Sequence, residues 1–130
     1  MTTTTGPLAR ETPHGFEVVL DRLPGLLQHE GFGILTEIDL QKTFATKLGV
    51  PFRRYKILGA CNPGFAHRAV SAHPEVGVML PCNLAVYELE DGTTRVVAVD
   101  PLAQLALGEH DLADLASEVR HRLEKVLAGL

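Results

Sequence analysis

Two cysteines, two serines and no excess of positive charge limit what this chain can be. Both serines, Ser71 and Ser117, fall in stretches of helical pattern with no glycine elbow around them, so a serine-hydrolase site has no support. Two cysteines in 130 residues do not make a disulfide scaffold, and a reducing compartment is the expected setting. The formal net charge is −4, which argues against a general affinity for DNA or RNA, because that needs a basic surface to displace counterions. Long apolar runs are missing too. Stretches such as Val76 to Leu80 are far too short to span a bilayer. The first seven residues, Met1 to Pro7, have neither the basic start nor the apolar segment of a signal peptide. The expectation is a cytoplasmic protein with no membrane or nucleic-acid partner.

What is present suffices for a folded domain. Apolar residues make up 45% of the chain and charged residues 22%, enough for a core and too little charge for disorder. The length fits a single domain, residues 1–130, with residues 1–7 either a flexible tail or a weak first strand.

From Phe16 the pattern is helical: Phe16, Val19, Leu20, Leu23, Leu26 and Leu27 recur at helix spacing, and Gly31 closes the run. Pro24-Gly25 inside it predicts a kink rather than a break, since the periodicity resumes in phase. Phe32 to Asp39 reads as a strand with Phe32, Ile34, Thr36 and Ile38 on one face and Leu35, Glu37 and Asp39 on the other. A short helix over Leu40 to Leu48 ends at Gly49, and Tyr55 to Cys61 is a second strand. Asn62-Pro63 then has the chemistry of a helix start, an N-cap followed by proline at the first position, for a helix to about Ala72. Val76 to Leu80 running towards Glu90, and Thr93 to Val99, read as strands joined at Asp91-Gly92, a strong hairpin signal. The last helix carries an apolar stripe of Leu112, Leu115, Ala116, Val119, Leu123, Val126 and Leu127, with Asp111 as N-cap. Its acids come early and its bases, Arg120, Arg122 and Lys125, come late, as the helix dipole favours. The predicted class is α+β, a mostly antiparallel sheet of four or five strands with helices on one face. A doubly wound parallel sheet is the alternative, and the Asp91-Gly92 hairpin counts against it.

Few residues offer chemistry. Gly31-Phe32-Gly33 precedes a strand instead of opening a helix and lacks a third glycine, so it is no dinucleotide loop. No lysine follows Gly59 to Gly64 as in a P-loop, and neither HExxH nor CxxC occurs. The six histidines are scattered without metal-ligand spacing. Two similar tripeptides remain, Ala60-Cys61-Asn62 and Pro81-Cys82-Asn83. Cys61 ends a strand just before a helix N-cap, where the helix dipole and free backbone donors would favour a thiolate. Buried cysteines also commonly serve as small core hydrophobes. Glu37 and Asp39, two apart on one strand, could act as acid and base or bind a cation, or else lie on a solvated edge.

The segments from Gly31 to Asp39, Lys47 to Gly49, Tyr55 to Pro63, Leu80 to Asn83, and Asp100-Pro101 together resemble the bacterial family catalogued as domain of unknown function 302. The resemblance implies a β-α-β-β-β-β-α order of the TATA-binding-protein-like kind, a curved antiparallel sheet with helices on one side. It implies no activity or cofactor. Three expectations for function follow. The first is a binding or thiol-dependent module in which a small ligand, metal ion or sulfur species meets Cys61 and Cys82, with Asn62 and Asn83 supplying hydrogen bonds. The second is a small enzyme using Glu37 and Asp39 with the cysteines. The third is an interaction domain whose open sheet face forms a homodimer.

Overall fold

The computed structural model describes residues 8–105 and 112–130. Five strands form one sheet in the order β1-β5-β4-β3-β2, with every neighbouring pair antiparallel. Strand β1 spans Leu8–Thr12, β2 Gly33–Asp39, β3 Tyr55–Cys61, β4 Cys82–Glu88 and β5 Thr94–Ala98. Helix α1 (Phe16–His29) carries the chain from edge strand β1 to the opposite edge, β2. Short helices α2 (Leu40–Leu48) and α3 (Pro63–Ala72) lie in the next two connections, α4 (Pro101–Leu105) follows β5, and α5 (Ala113–Ala128) comes last. The predicted α+β class and the order β-α-β-β-β-β-α of the main elements are those of the structure.

One side of the sheet faces α1 and α5. Val19, Leu23 and Leu27 of α1 and Leu123 and Val126 of α5 meet Leu58, Leu84, Val86 and Val96 of the sheet, all nearly inaccessible to solvent. Each such side chain contributes roughly 1.5–3 kcal/mol by leaving water. The whole predicted stripe of α5 is buried. Helix α1 runs unbroken through Pro24, and Gly31 beyond its end has φ +88°, a conformation that suits glycine.

The other side of the sheet is open. In register across all five strands runs an apolar row of Ala9, Val97, Ala85, Ile57 and Ile38. Beside it the rings of Tyr55 and Tyr87 stack with centroids 5.0 Å apart.

Two sequence expectations change, and other points are added. Leu35 is a bulge in the β2–β3 ladder, and the extra residue reverses the alternation, so Thr36 and Ile38 lie on the open face, opposite to Ile34. Val76 to Leu80 is not a strand: Pro74–Met79 forms a 3-10 turn, and β4 starts only at Cys82. Proline opens that turn and only Val76 of it is buried; a short apolar run does not distinguish these conformations. Arg120, one of the late bases of α5, is buried. It is 6% exposed, with Nη1 2.8 Å from Oδ2 of Asp100. The first strand begins at Leu8, while residues 1–7 and the predicted cap Asp111 lie outside the described residues. The residue before α5, Leu112, makes no side-chain cap.

Candidate functional site

Strands β3 and β4 are central, and their register sets the two Cys-Asn segments side by side: Ala60 lies opposite Cys82 and Gly59 opposite Asn83. Alternation then separates their roles. Cys82 falls on the helix side with Leu84, whereas Asn83 falls on the open side, where it is exposed. A Cβ on Gly59 would come 2.7 Å from Pro81 Cγ, and Thr36 crowds the same spot. Only glycine leaves room there.

The other asparagine is structural. Asn62 caps α3, its Oδ1 accepting from the Phe65 backbone at 3.4 Å. Its Nδ2 donates to the Glu30 carbonyl at 3.4 Å, and Arg122 Nη1 donates to the same oxygen at 3.2 Å. Gly31 permits this approach, because a Cβ there would lie 2.8 Å from Asn62 Nδ2. The Arg122 guanidinium also rests over the Phe65 ring, 5.3 Å from its centroid. Helices α1, α3 and α5 are thus tied together at one carbonyl, next to Cys61.

Behind this junction lies a cavity of about 40 Å³, lined on the sheet side by Ala60, Cys61 and Cys82. Ala66 and Ala69 of α3, Met79 and Leu80 of the turn, and Leu115 and Val119 of α5 complete most of its wall. It lies where two buried clusters meet, the main core and a smaller one of Ala69, Val76, Leu112 and Leu115. Alanines on both the sheet and α3 leave the gap that larger side chains would fill. A water needs about 10–15 Å³ by this measure and several polar partners. The space would hold about three waters, but its wall is almost wholly apolar, which disfavours them.

Both cysteines are free and partly buried. Burial, and secondarily the nearby Cys61 thiol, push the Cys82 pKa up to about 11. Cys82 is therefore a neutral thiol at neutral pH, neither a ready nucleophile nor a ready metal ligand.

Glu37 and Asp39 do not join this site. Glu37 pairs with Lys56 Nζ at 3.0 Å. Asp39 is the N-cap of α2, accepting from the Lys42 backbone at 3.0 Å. Their partners on β3 are Leu58 and Lys56, which places them roughly 10 Å and 16 Å along the strand from Cys61. Among the described residues, no group of three His, Cys, Asp or Glu side chains is arranged to hold a metal ion, and no helix is long and apolar enough to cross a membrane. Sequence reading missed the cavity itself. Its one signal is the run of small residues on the buried side of α3, which helical periodicity scores as a weak stripe rather than as space.

No curated protein matches the chain. Among solved structures, that of an uncharacterized conserved DUF302 protein from Bacillus stearothermophilus is similar, with a TM-score of 0.86 and 30% identity, covering 92% of this chain and 94% of that one. The family model described as "Domain of unknown function DUF302" matches residues 8–130. The chain belongs to the DUF302 family.

Proposed function

We propose that this chain is a binding module for a small, mostly apolar molecule, held in the cavity between β3, β4, α3 and α5, with Cys82 on the helix side of the sheet and Cys61 at the cavity's edge. The observation that carries this reading is an apolar gap placed where the two Cys-Asn segments meet. A dry apolar cavity gains dispersion contacts when filled, and the protonated Cys82 thiol offers a soft, weakly polar contact. Asn62 holds the rim by capping α3. The enzyme reading gains no such support, since Glu37 and Asp39 are engaged elsewhere. A metal ion is disfavoured as ligand because burial holds one of the two thiols protonated.

Xenon under pressure, followed by a panel of small apolar fragments, tests the cavity by NMR. Methyl signals of Met79, Leu115 and Val119 should shift together, and Ala69→Leu, which fills the gap, should abolish the shifts while the protein stays folded. Unchanged methyl signals with xenon and with every fragment would overturn the proposal.

Thiol chemistry gives a separate reading of the same wall. With a pKa of about 11, Cys82 at pH 8 is only about 0.1% thiolate, and Cys61 precedes a helix N-terminus. Iodoacetamide should modify Cys61 at least about tenfold faster than Cys82 in the native protein. Cys61→Ser should remove the fast phase with a modest loss of stability. Equal, slow modification of both thiols until unfolding would make them core filler only.

A further inference from the structure

The cavity is not evenly enclosed. Ala69, Leu115 and Val119 of its wall are buried. Asn62, Phe65 and Ala66 at the start of α3 stay partly exposed, as does the segment Met79 to Pro81. The space therefore meets solvent between the first turns of α3 and the end of the 3-10 turn. Phe65 forms the lip on the helix side, and its ring carries two guanidinium groups. Arg122 Cζ lies 5.3 Å from its centroid and Arg68 Cζ 6.0 Å, both within reach of a cation–π contact.

The two arginines differ in what occupies them. Arg122 Nε is 3.0 Å from Glu118 Oε2, and its Nη1 donates to the Glu30 carbonyl. Arg68 is exposed, one turn beyond Phe65, and among the described residues it has no acidic partner. An arginine that only kept α3 soluble would extend into water; this one leans back over the lip. With Glu118 offsetting Arg122, one guanidinium at the lip is left uncompensated on a chain of net charge −4. Helix α3 adds its positive end at the same place, since its N-cap Asn62 lines the cavity. A low-dielectric wall beside such charge strengthens the attraction for an anion.

Taking the cavity as a binding site, the reading on which this rests, we infer that its ligand is a small amphiphile, with an aliphatic tail in the apolar gap and a single carboxylate at the mouth beside Arg68 and Arg122. Tail length follows from volume. A methylene takes about the room of a water molecule, so a gap of about 40 Å³ accommodates about three carbons. Charge follows from the lip. One uncompensated guanidinium matches a monoanion, and a carboxylate meets the fork of an arginine through two parallel hydrogen bonds. A phosphate dianion would leave a charge unmatched, and an ammonium would be repelled.

Titration of butanoate, butanol and butylamine into the full chain at neutral pH, followed through the methyl signals of Met79, Leu115 and Val119, tests this. Butanoate and butanol share a tail, so their difference reports the carboxylate, which is ionised under these conditions. Butanoate should bind at least about fivefold more tightly than butanol, and butylamine more weakly than either. Acetate, which lacks the tail, should leave the methyl signals unmoved. Arg68→Gln, a change at an exposed position, should weaken butanoate binding by about fivefold and leave butanol binding as it was. Lys47→Gln, exposed on α2, should alter neither. Butanol binding as tightly as butanoate, or butanoate binding indifferent to Arg68→Gln, would overturn the carboxylate and leave the apolar cavity standing. Silence from both ligands with xenon still seen would overturn the amphiphile alone, and silence from xenon and every fragment as well would overturn both readings.

Discussion

Asp100→Ala should lower the unfolding free energy by about 3–5 kcal/mol, the usual cost of orphaning a buried charge. Arg120 is almost fully enclosed, and its Nε and Nη1 find no well-directed hydrogen bond. The close approach of Nη1 to Asp100 Oδ2, 2.8 Å, is an ion pair off the hydrogen-bond direction. Its other acid, Glu124, stands 3.9 Å away and half exposed. Removing Asp100 therefore strands a guanidinium in the interior, and it also removes the acceptor of the Leu102 backbone N–H. Deleting both charges while keeping the cap, in Asp100→Asn with Arg120→Met, should restore most of the loss, because no unpaired charge remains. Glu118→Ala, which breaks only the exposed pair with Arg122, should cost no more than about 1 kcal/mol. Urea unfolding of the variants checks the set. A cost for Asp100→Ala as small as that of Glu118→Ala would mean that the Arg120 charge is satisfied without Asp100.

A second large effect belongs to alkaline pH. The Cys82 thiol, with a reference value of 9.0, is pushed up to about 11 in the folded chain. The unfolded chain thus loses this proton first. The thiol's contribution to stability is intact below pH 9, declines between pH 9 and about 11, and is then exhausted. A shift of this size corresponds to about 2–3 kcal/mol. Other groups ionise in the same window, so the comparison is with Cys82→Ala, whose stability should fall less steeply over that range. Parallel curves for the two proteins would show that the thiol is solvated in the native state.

Most of the fold is legible in local chemistry. The boundaries of β3, of α3 with its Asn62-Pro63 start, and of α2 between Asp39 and Gly49 are written in caps and punctuation, and the structure has them at those residues. The bulge at Leu35 and the burial of Arg120 depend on partners distant in sequence. The 3-10 turn at Pro74–Met79 lies in a short apolar run whose pattern fits more than one conformation. Arg120 in particular fits the helix-dipole pattern equally well whether solvated or enclosed. The adjacency of the two Cys-Asn segments needs the β3–β4 register, which the sequence suggests only through their similar position at strand ends. The cavity is legible least, since it is made by what small side chains leave unfilled.

The position of β1 bears on how the chain reaches this structure. Strands β2 to β5 form an unbroken meander of sequential neighbours, but β1 pairs with β5, joining Leu8 to Ala98 and Thr12 to Thr94. That pairing closes a loop of more than 80 residues, and the entropy of closure is spent before any of its contacts form. The meander can assemble first. Until β1 docks, its neighbour β5 presents an unsatisfied backbone edge, the kind of surface on which partly folded chains associate. Renaturation yield should therefore fall as protein concentration rises, with protection of the β5 amides that face β1 among the last to appear.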